Sequence, residues 1–445
     1  VALGLTIRHT KKDICYALLY NQFTTKIMLK QAMQMSQNYF ILDVLGIKDP
    51  NIKVQTVEEK KIGAETVREI TAKLTYPITR CRNCGFTKVV RNGYRKTHIR
   101  LASLDGVRYE LILWKQRYYC KCCNSTFGAI TSLTQENHTL SKKLKSQVMQ
   151  FVKQGLNGEL IAKICHCSPS SVRRTIIERV QPHYRMAKLP KHLCFDEFRS
   201  TKSTMSFICC DSETHQLVVK LYDRLSSSII NYFENRYSKQ ERAQVQSVVI
   251  DLNAQYQSFI YRLFPNAKVI IDRFHIVQLA GRALDNSRIS LLKTLDKHSR
   301  EYRILKSQWR LFHQKATTLR PKKPVYLRGI NEYMTRQNAV DLITSKFPRF
   351  KAVYDTYQDI TLAIAGRDSE LLMSAIRDYQ TTKTEMDTTI STLRKNLKAV
   401  INSIKYEFSN GPLEGINRKI KVLKRSCYGF ANQEFFFLRI DCLFA

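Results

Sequence analysis

The chain has 445 residues, too many for one ordinary core and enough for about three domains. Its 73 Lys and Arg against 37 Asp and Glu leave a formal charge of +36, which calls for a partner of opposite sign, nucleic acid or an anionic membrane surface. No apolar run of about eighteen residues and no convincing cleavable secretory pattern occurs, which argues against a membrane span and favours a cytoplasmic protein bound to nucleic acid.

Residues 1–34 carry neither an initiating Met nor a clear structural period, and read as an upstream-translated or non-native extension, with a genuine short extension as the alternative. Residues 35–74 follow as an N-terminal segment. The next block, 75–130, holds Cys81-Arg-Asn-Cys84-Gly85 and Cys120-Lys-Cys122-Cys123. Two CxxC pairs can present four thiolates in tetrahedral geometry, so Cys81, Cys84, Cys120 and Cys123 are the expected ligands of a structural zinc ion in a ribbon-like module, with Cys122 spare. A disulfide is the alternative, and a cytosolic address argues against it. Between the pairs, Lys88, Arg91, Arg95, Lys96, Lys115 and Arg117 alternate with Tyr94, Trp114 and Tyr118, a plausible phosphate-contacting surface on strands.

Residues 138–182 read as three short helices: Ser141–Gln154, Asn157–Cys165, and one that begins at Pro169 behind a Ser168 cap. That spacing predicts a helix-turn-helix whose third helix offers Ser170, Ser171, Arg173 and Arg174 to base edges in the major groove. Cys165 and Cys167 read as small turn residues rather than a second metal site, and Tyr184–Pro190 as a linker.

From 190 to 272 the pattern becomes α/β. A short apolar approach leads to Asp196-Glu197, then two strand-like runs, Thr204–Cys210 and Leu217–Tyr222. Ser247–Ile250 ends on Asp251, Ala254–Phe264 is helical, and Lys268–Ile271 ends on Asp272. Acids at the exits of parallel strands lie where α/β sheets bind ligands and suit hard divalent cations, although each could simply cap the helix that follows. Residues 273–408 read as a mainly helical insertion, with helices at Ile276–Leu292, Tyr302–Lys315, Ile330–Thr344, Phe350–Ala365, Ser369–Gln380 and Glu385–Val400, and with Trp309 as a packed residue. In 409–445, Pro412 opens a helix bearing Glu414, Asn417 and a basic strip of Arg418, Lys421, Lys424 and Arg425.

Three of these runs resemble the transposases of the ISL3 insertion-sequence family: DEF at Asp196, FPNAKVIIDRFH from Phe264 to His275, and NGPLEGINRKIKVLKRSCYGF from Asn410. That family belongs to the DDE group, so the resemblance implies an RNase-H-like catalytic core interrupted by helices. It assigns the catalytic carboxylates to Asp196, Asp251 and Glu414, with Asp272, His275 and Asn417 in support, and leaves open whether Asp251 or Asp272 is the principal second acid. Such chemistry activates water, then a 3′ hydroxyl, against a phosphodiester. Two Mg2+ ions about 3.5 to 4 Å apart can stabilise both attacking and leaving oxygens, and the oxygen-only ligand set favours magnesium.

The expectation is therefore a multidomain α/β protein: zinc module, helix-turn-helix, and RNase-H-like core with a helical insertion. By the resemblance it binds double-stranded DNA at the terminal inverted repeats of a mobile element, cuts there and joins the ends to target DNA. It acts at the nucleoid, as at least a dimer. A transposase-derived regulator without chemistry and a metal-dependent nuclease without strand transfer are the alternatives.

Overall fold

The computed structural model describes residues 40, 42–63, 65–180, 186, 188–252, 255–319 and 322–444, so the expected extension at 1–34 lies outside it, as do residues 184, 185 and 187 of the expected linker. The chain forms two compact units, one ending at Val180 and the other spanning Gln181–Phe444. Among the described residues no helix is long and apolar enough to cross a membrane.

The first unit is built on a five-stranded sheet of order β1-β2-β4-β3, with β5 on the free flank of β4. Its strands are β1 (Ile52–Ile62), β2 (Glu65–Leu74), β3 (Val89–Arg100), β4 (Arg108–Cys120) and β5 (Thr126–Gly128). The β1–β2 hairpin was not foreseen. Its sequence is dense in charge, and cross-strand pairs line its outer face: Lys60 with Glu69 at 2.6 Å and Arg68 with Glu59 at 3.0 Å, over a backbone ladder that holds the two strands. One face of β2, β3 and β4 contributes Ile70, Leu74, Ile99, Leu111 and Leu113 to the core. Three helices follow: α1 (Lys142–Lys153), α2 (Gly158–Ile164) and α3 (Pro169–Arg179). Each has the N-cap that its sequence announces, with Ser141, Asn157 and Ser168 accepting from the backbone N–H of Leu144, Leu160 and Ser171. The helices are not separate from the sheet: the Arg100 backbone is hydrogen-bonded to Thr139 and Ser141, and Ser103 Oγ donates to the Ile164 carbonyl at 3.0 Å.

The second unit has a five-stranded sheet of order β10-β9-β6-β7-β8. Here β6 is His192–Arg199, β7 Met205–Asp211, β8 Leu217–Leu221, β9 Ser247–Ile250 and β10 Lys268–Ile271. β6, β7 and β8 run antiparallel as a meander, while β9 and β10 add parallel to the other side of β6. β9 is buried at every position and β10 at all but its first, which is why both read as continuous apolar runs. α4 (Ser226–Arg236) and α5 (Lys239–Ala243) connect β8 to β9, and α6 (Gln257–Leu263) makes the crossover from β9 to β10.

Residues beyond β10 run through α7 (Arg273–Leu292), α8 (Arg300–Ser307), β11 (Val325–Leu327), β12 (Glu332–Met334), α9 (Arg336–Lys346), α10 (Pro348–Gly366), α11 (Ser369–Arg377), α12 (Glu385–Lys395) and α13 (Leu397–Lys405). Three expected helices differ. Tyr302–Lys315 ends its α-helix at Ser307 and continues as a 3-10 turn, Trp309–His313. Ile330–Thr344 gives up its first turn to the β11–β12 hairpin, and Glu385–Val400 breaks at Asn396 into α12 and α13. Trp309 is only partly packed: it is 36% exposed, with its ring edge-on to His313 at 5.8 Å and the Arg310 guanidinium over it at 4.9 Å.

These helices share one core with the sheet, in which Phe195, Ile250 and Ile271 pack with Ile276, Ile360 and Val400. The opposite sheet face, Cys194, Ile208, Val249 and Ile270, is covered by α14 (Gly411–Ser426) and α15 (Gln433–Phe444). The result is a sheet between two helical layers.

Candidate functional site

β6 and β9 pair with Cys194 opposite Val249, and β9 and β10 with Ile250 opposite Ile271. Continuing those registers past the strand ends sets Asp196, Asp251 and Asp272 abreast. Each lies two positions beyond a residue of the face under α14 and α15, so all three belong to that face. Asp272 is buried and caps α7, accepting from Phe274 N at 3.2 Å. Capping and clustering are therefore not exclusive: ligand atoms of Asp251, Asp272 and His275 all lie within 4.8 Å of one another. His275, on the first turn of α7, places Nε2 at 3.0 Å from Asp251 Oδ1.

α14 closes the site from the other layer. Asn410 at its cap donates through Nδ2 to Asp251 Oδ1 at 3.1 Å and to the Phe195 carbonyl at 3.2 Å. Asn417 donates through Nδ2 to Asp196 Oδ2 at 2.7 Å, and Glu197 N donates to Asp196 Oδ1 at 2.7 Å. Both asparagines are buried, and the Oδ1 of each has no partner. Glu414 stands on the turn between them, exposed and outside the Asp251–Asp272–His275 group. Further along the helix Arg418, Lys421 and Arg425 are exposed. Lys424 instead donates to the carbonyls of Arg199 and Ser200, fastening α14 to the end of β6.

Sequence reasoning missed Asn410, Arg224 and Tyr256. The last two hold Glu197, through Arg224 Nη1 at 2.6 Å and Tyr256 OH at 3.0 Å, so the second acid of the DEF run is engaged away from the cluster. The Asn410-Gly411-Pro412 loop before a helix was a local signal for Asn410, but its target on a strand 159 residues away was not.

Burial, then the charge of Asp251, pushes the Asp196 carboxyl up to about 7. The hydrogen bond to Asp251 raises His275, which favours imidazolium. The protein has thus collected acids faster than it has neutralised them. A divalent cation would relieve that repulsion, and the convergent carboxylate oxygens suit a hard ion.

In the first unit the thiols of Cys81, Cys84, Cys120 and Cys123 lie within 4.8 Å of one another, with Cys81–Cys123 and Cys84–Cys120 sulfurs each 3.7 Å apart. Four ligands at about 2.3 Å around a tetrahedral ion are separated by roughly that distance. The Ser125 hydroxyl, then its backbone N–H, lowers Cys123, which favours the thiolate that binds metal. Cys122 is exposed and outside the group. On α3, Arg173 and Arg174 are exposed, whereas Ser170 and Ser171 bring their hydroxyls to 2.9 Å from the Ser168 cap.

Comparison with known proteins places this geometry. A family of transposases, the ISL3 type of the DDE group, matches residues 193–440, more than half of the chain and all five strands of the second sheet. The chain belongs to the ISL3 transposase family. The transposase for insertion sequence element IS1001 of Bordetella parapertussis is 22% identical over 416 residues, covering 88% of this chain and 95% of that protein. A protein of Lactococcus lactis subsp. lactis named as an ATP-dependent protease is 35% identical over 126 residues, 27% of this chain and 38% of that protein. Membership of the ISL3 family carries DNA as the partner, and the acidic cluster at the strand ends is consistent with metal-dependent cleavage of it.

Proposed function

We propose that the protein is an active DDE transposase: it binds the terminal inverted repeats of its element, cuts there, and joins the released ends to target DNA. The observation that carries this is the set of aspartates abreast on neighbouring strands, tied through Asn410 and Asn417 to the helix that bears Glu414. The strand order β10-β9-β6-β7-β8, three antiparallel and two parallel, supports an RNase-H-like core. Bound Mg2+, two ions in this chemistry, would supply Lewis-acid stabilisation of the attacking and leaving oxygens. Asp196, Asp251 and Glu414 would hold these ions, with Asp272 in support. Asn410 and Asn417 orient the first two acids, and His275 offsets the charge of Asp251. Arg418, Lys421 and Arg425 lie where they can hold the cut strand by its phosphates, sequence-independently.

The four-cysteine group supports a structural zinc ion, and the capped helices α1–α3 support a helix-turn-helix in which Arg173 and Arg174 meet bases. Two element ends must meet in one reaction, so at least two copies act together, on DNA at the nucleoid. Incubation of the protein with Mg2+ and linear DNA carrying the element end tests the proposal: cleaved ends and joined products are expected. Binding without either product leaves a DNA-binding regulator, and cleavage without joining leaves a nuclease.

A further inference from the structure

The first unit contains a cleft of about 860 Å³ between β3–β4 and the segment 126–139. Arg95, Lys96, Lys115 and Arg117 line it, against Glu136 as its one carboxylate. Arg95 and Lys115 are direct cross-strand partners and share a sheet face with Ile99, Leu111 and Leu113, the apolar core. Like charges opposite one another on an antiparallel pair destabilise it, and here the pair continues a core-facing row. Burial, then the charge of Arg95, lowers Lys115. Glu136 offsets Lys115 in part, which leaves the cleft with more cations than its one carboxylate can balance and suits it to an anion.

The opposite wall is braced. The Lys145 side chain, buried in α1, donates from Nζ to Gln135 Oε1 at 2.9 Å, to His138 Nδ1 at 3.1 Å and to Glu178 Oε2 of α3 at 2.6 Å. Because Nδ1 accepts from an ammonium, the His138 proton is left on Nε2, a donor on a wall of the cleft. One buried lysine thus fixes the cleft wall and α3 together. Along β4, Lys115 and Arg117 are two residues apart, about 6.7 Å, comparable with the spacing of successive phosphates on one nucleic-acid strand.

On the footing of the DNA binding proposed above, we propose that this cleft is a second DNA contact, which grips the sugar-phosphate backbone of the same duplex whose bases α3 reads. The cleft supplies affinity without sequence preference, and the Lys145 brace lets both surfaces engage without rearrangement.

Zinc-loaded full-length protein, titrated with the element-end duplex and with a scrambled duplex over a range of salt concentrations, tests this. Arg117→Gln and Lys115→Gln are each expected to weaken binding to both duplexes by the same factor and to reduce the salt slope by about 1, with zinc content unchanged. Arg117→Lys should retain the slope. Arg117 is exposed, so its substitution leaves the core intact and decides the matter if Lys115→Gln fails to fold. Unchanged slopes in Arg117→Gln while the wild type binds, or a loss confined to the element-end duplex, overturn the cleft proposal alone. A wild-type protein that binds neither duplex overturns it together with the DNA-binding function.

Discussion

Asn417 of α14 donates to Asp196 of β6 at 2.7 Å, across 221 residues of chain, and its own Oδ1 is buried without a partner. The amide therefore serves the carboxylate at the cost of its other half, which marks it as a positioning residue. Asn417→Ala should leave the fold intact and weaken metal binding or cleavage by about 10- to 100-fold, the usual effect of losing a residue that orients a ligand. Titration of Mg2+ into the variant, read by calorimetry beside cleavage, checks it; unchanged affinity and rate would show that Asp196 holds its place unaided.

A second expectation concerns the acids themselves. Asp196→Asn, Asp251→Asn and Glu414→Gln should each abolish cleavage of element-end DNA while sparing DNA binding, and Asp272→Asn should cost less. Asp272 sits with Asp251 and His275, whereas Glu414 is exposed one turn away, so Asp272→Asn is the sharp comparison. A dead Asp272→Asn beside an active Asp251→Asn reverses their roles.

The third expectation is a pH dependence of the protein without Mg2+. Asp196 has its carboxyl raised from 3.8 to about 7, so the folded chain binds a proton more tightly there than the unfolded chain does. Stability from this group is fully present below about pH 4 and drops as the pH rises through 7. Asp196→Asn removes the dependence, so relative to wild type it should become more stabilising by about 3 kcal/mol between pH 5 and pH 8. Thermal melts of zinc-loaded protein without Mg2+ at the two values measure it; a constant difference would mean that Asp196 titrates normally. Mg2+ added at pH 7 should release protons.

A fourth expectation separates the zinc ligands. Cys81→Ser and Cys123→Ser should lower bound zinc and the melting temperature of the first unit, while Cys122→Ser changes neither. Elemental analysis of protein kept in reducing buffer decides the ligand set.

The fifth separates base reading from backbone holding. Arg174→Ala should cut the preference for the element end over random DNA by about 1 to 3 kcal/mol, whereas Lys421→Ala should weaken both alike. Competition binding at fixed salt distinguishes them, and an unchanged ratio for both Arg173 and Arg174 variants moves base recognition away from α3.

Much of this architecture was legible where local chemistry decides it. Ser141, Asn157 and Ser168 announce helices because a side-chain acceptor at a cap is a local need, and Val248–Ile250 and Val269–Ile271 announce buried strands because both their faces are covered. The β1–β2 hairpin was hidden because it is held by a backbone ladder and by a few core residues such as Ile70 and Leu74, while its charged outer positions look in sequence like a solvated run. The roles of Asn410 and Lys424 were hidden for another reason. Each finds its partner on β6 or β9, and nothing near them in the chain records those strands. Trp309 packs at the margin of the core rather than within it, which composition cannot distinguish.

The 221-residue span between Asp196 and Asn417 also sets an order of events during synthesis. At roughly 5–20 residues per second, a ribosome takes roughly 10 to 40 s to add that stretch. Throughout, the sheet face of Cys194, Val249 and Ile270 has no helical cover, and the aspartates lack their amide donors. The emerging polypeptide is thus sticky before it is competent. On the proposed function, the site is complete only once α14 has been made, after the first unit and its proposed DNA contacts.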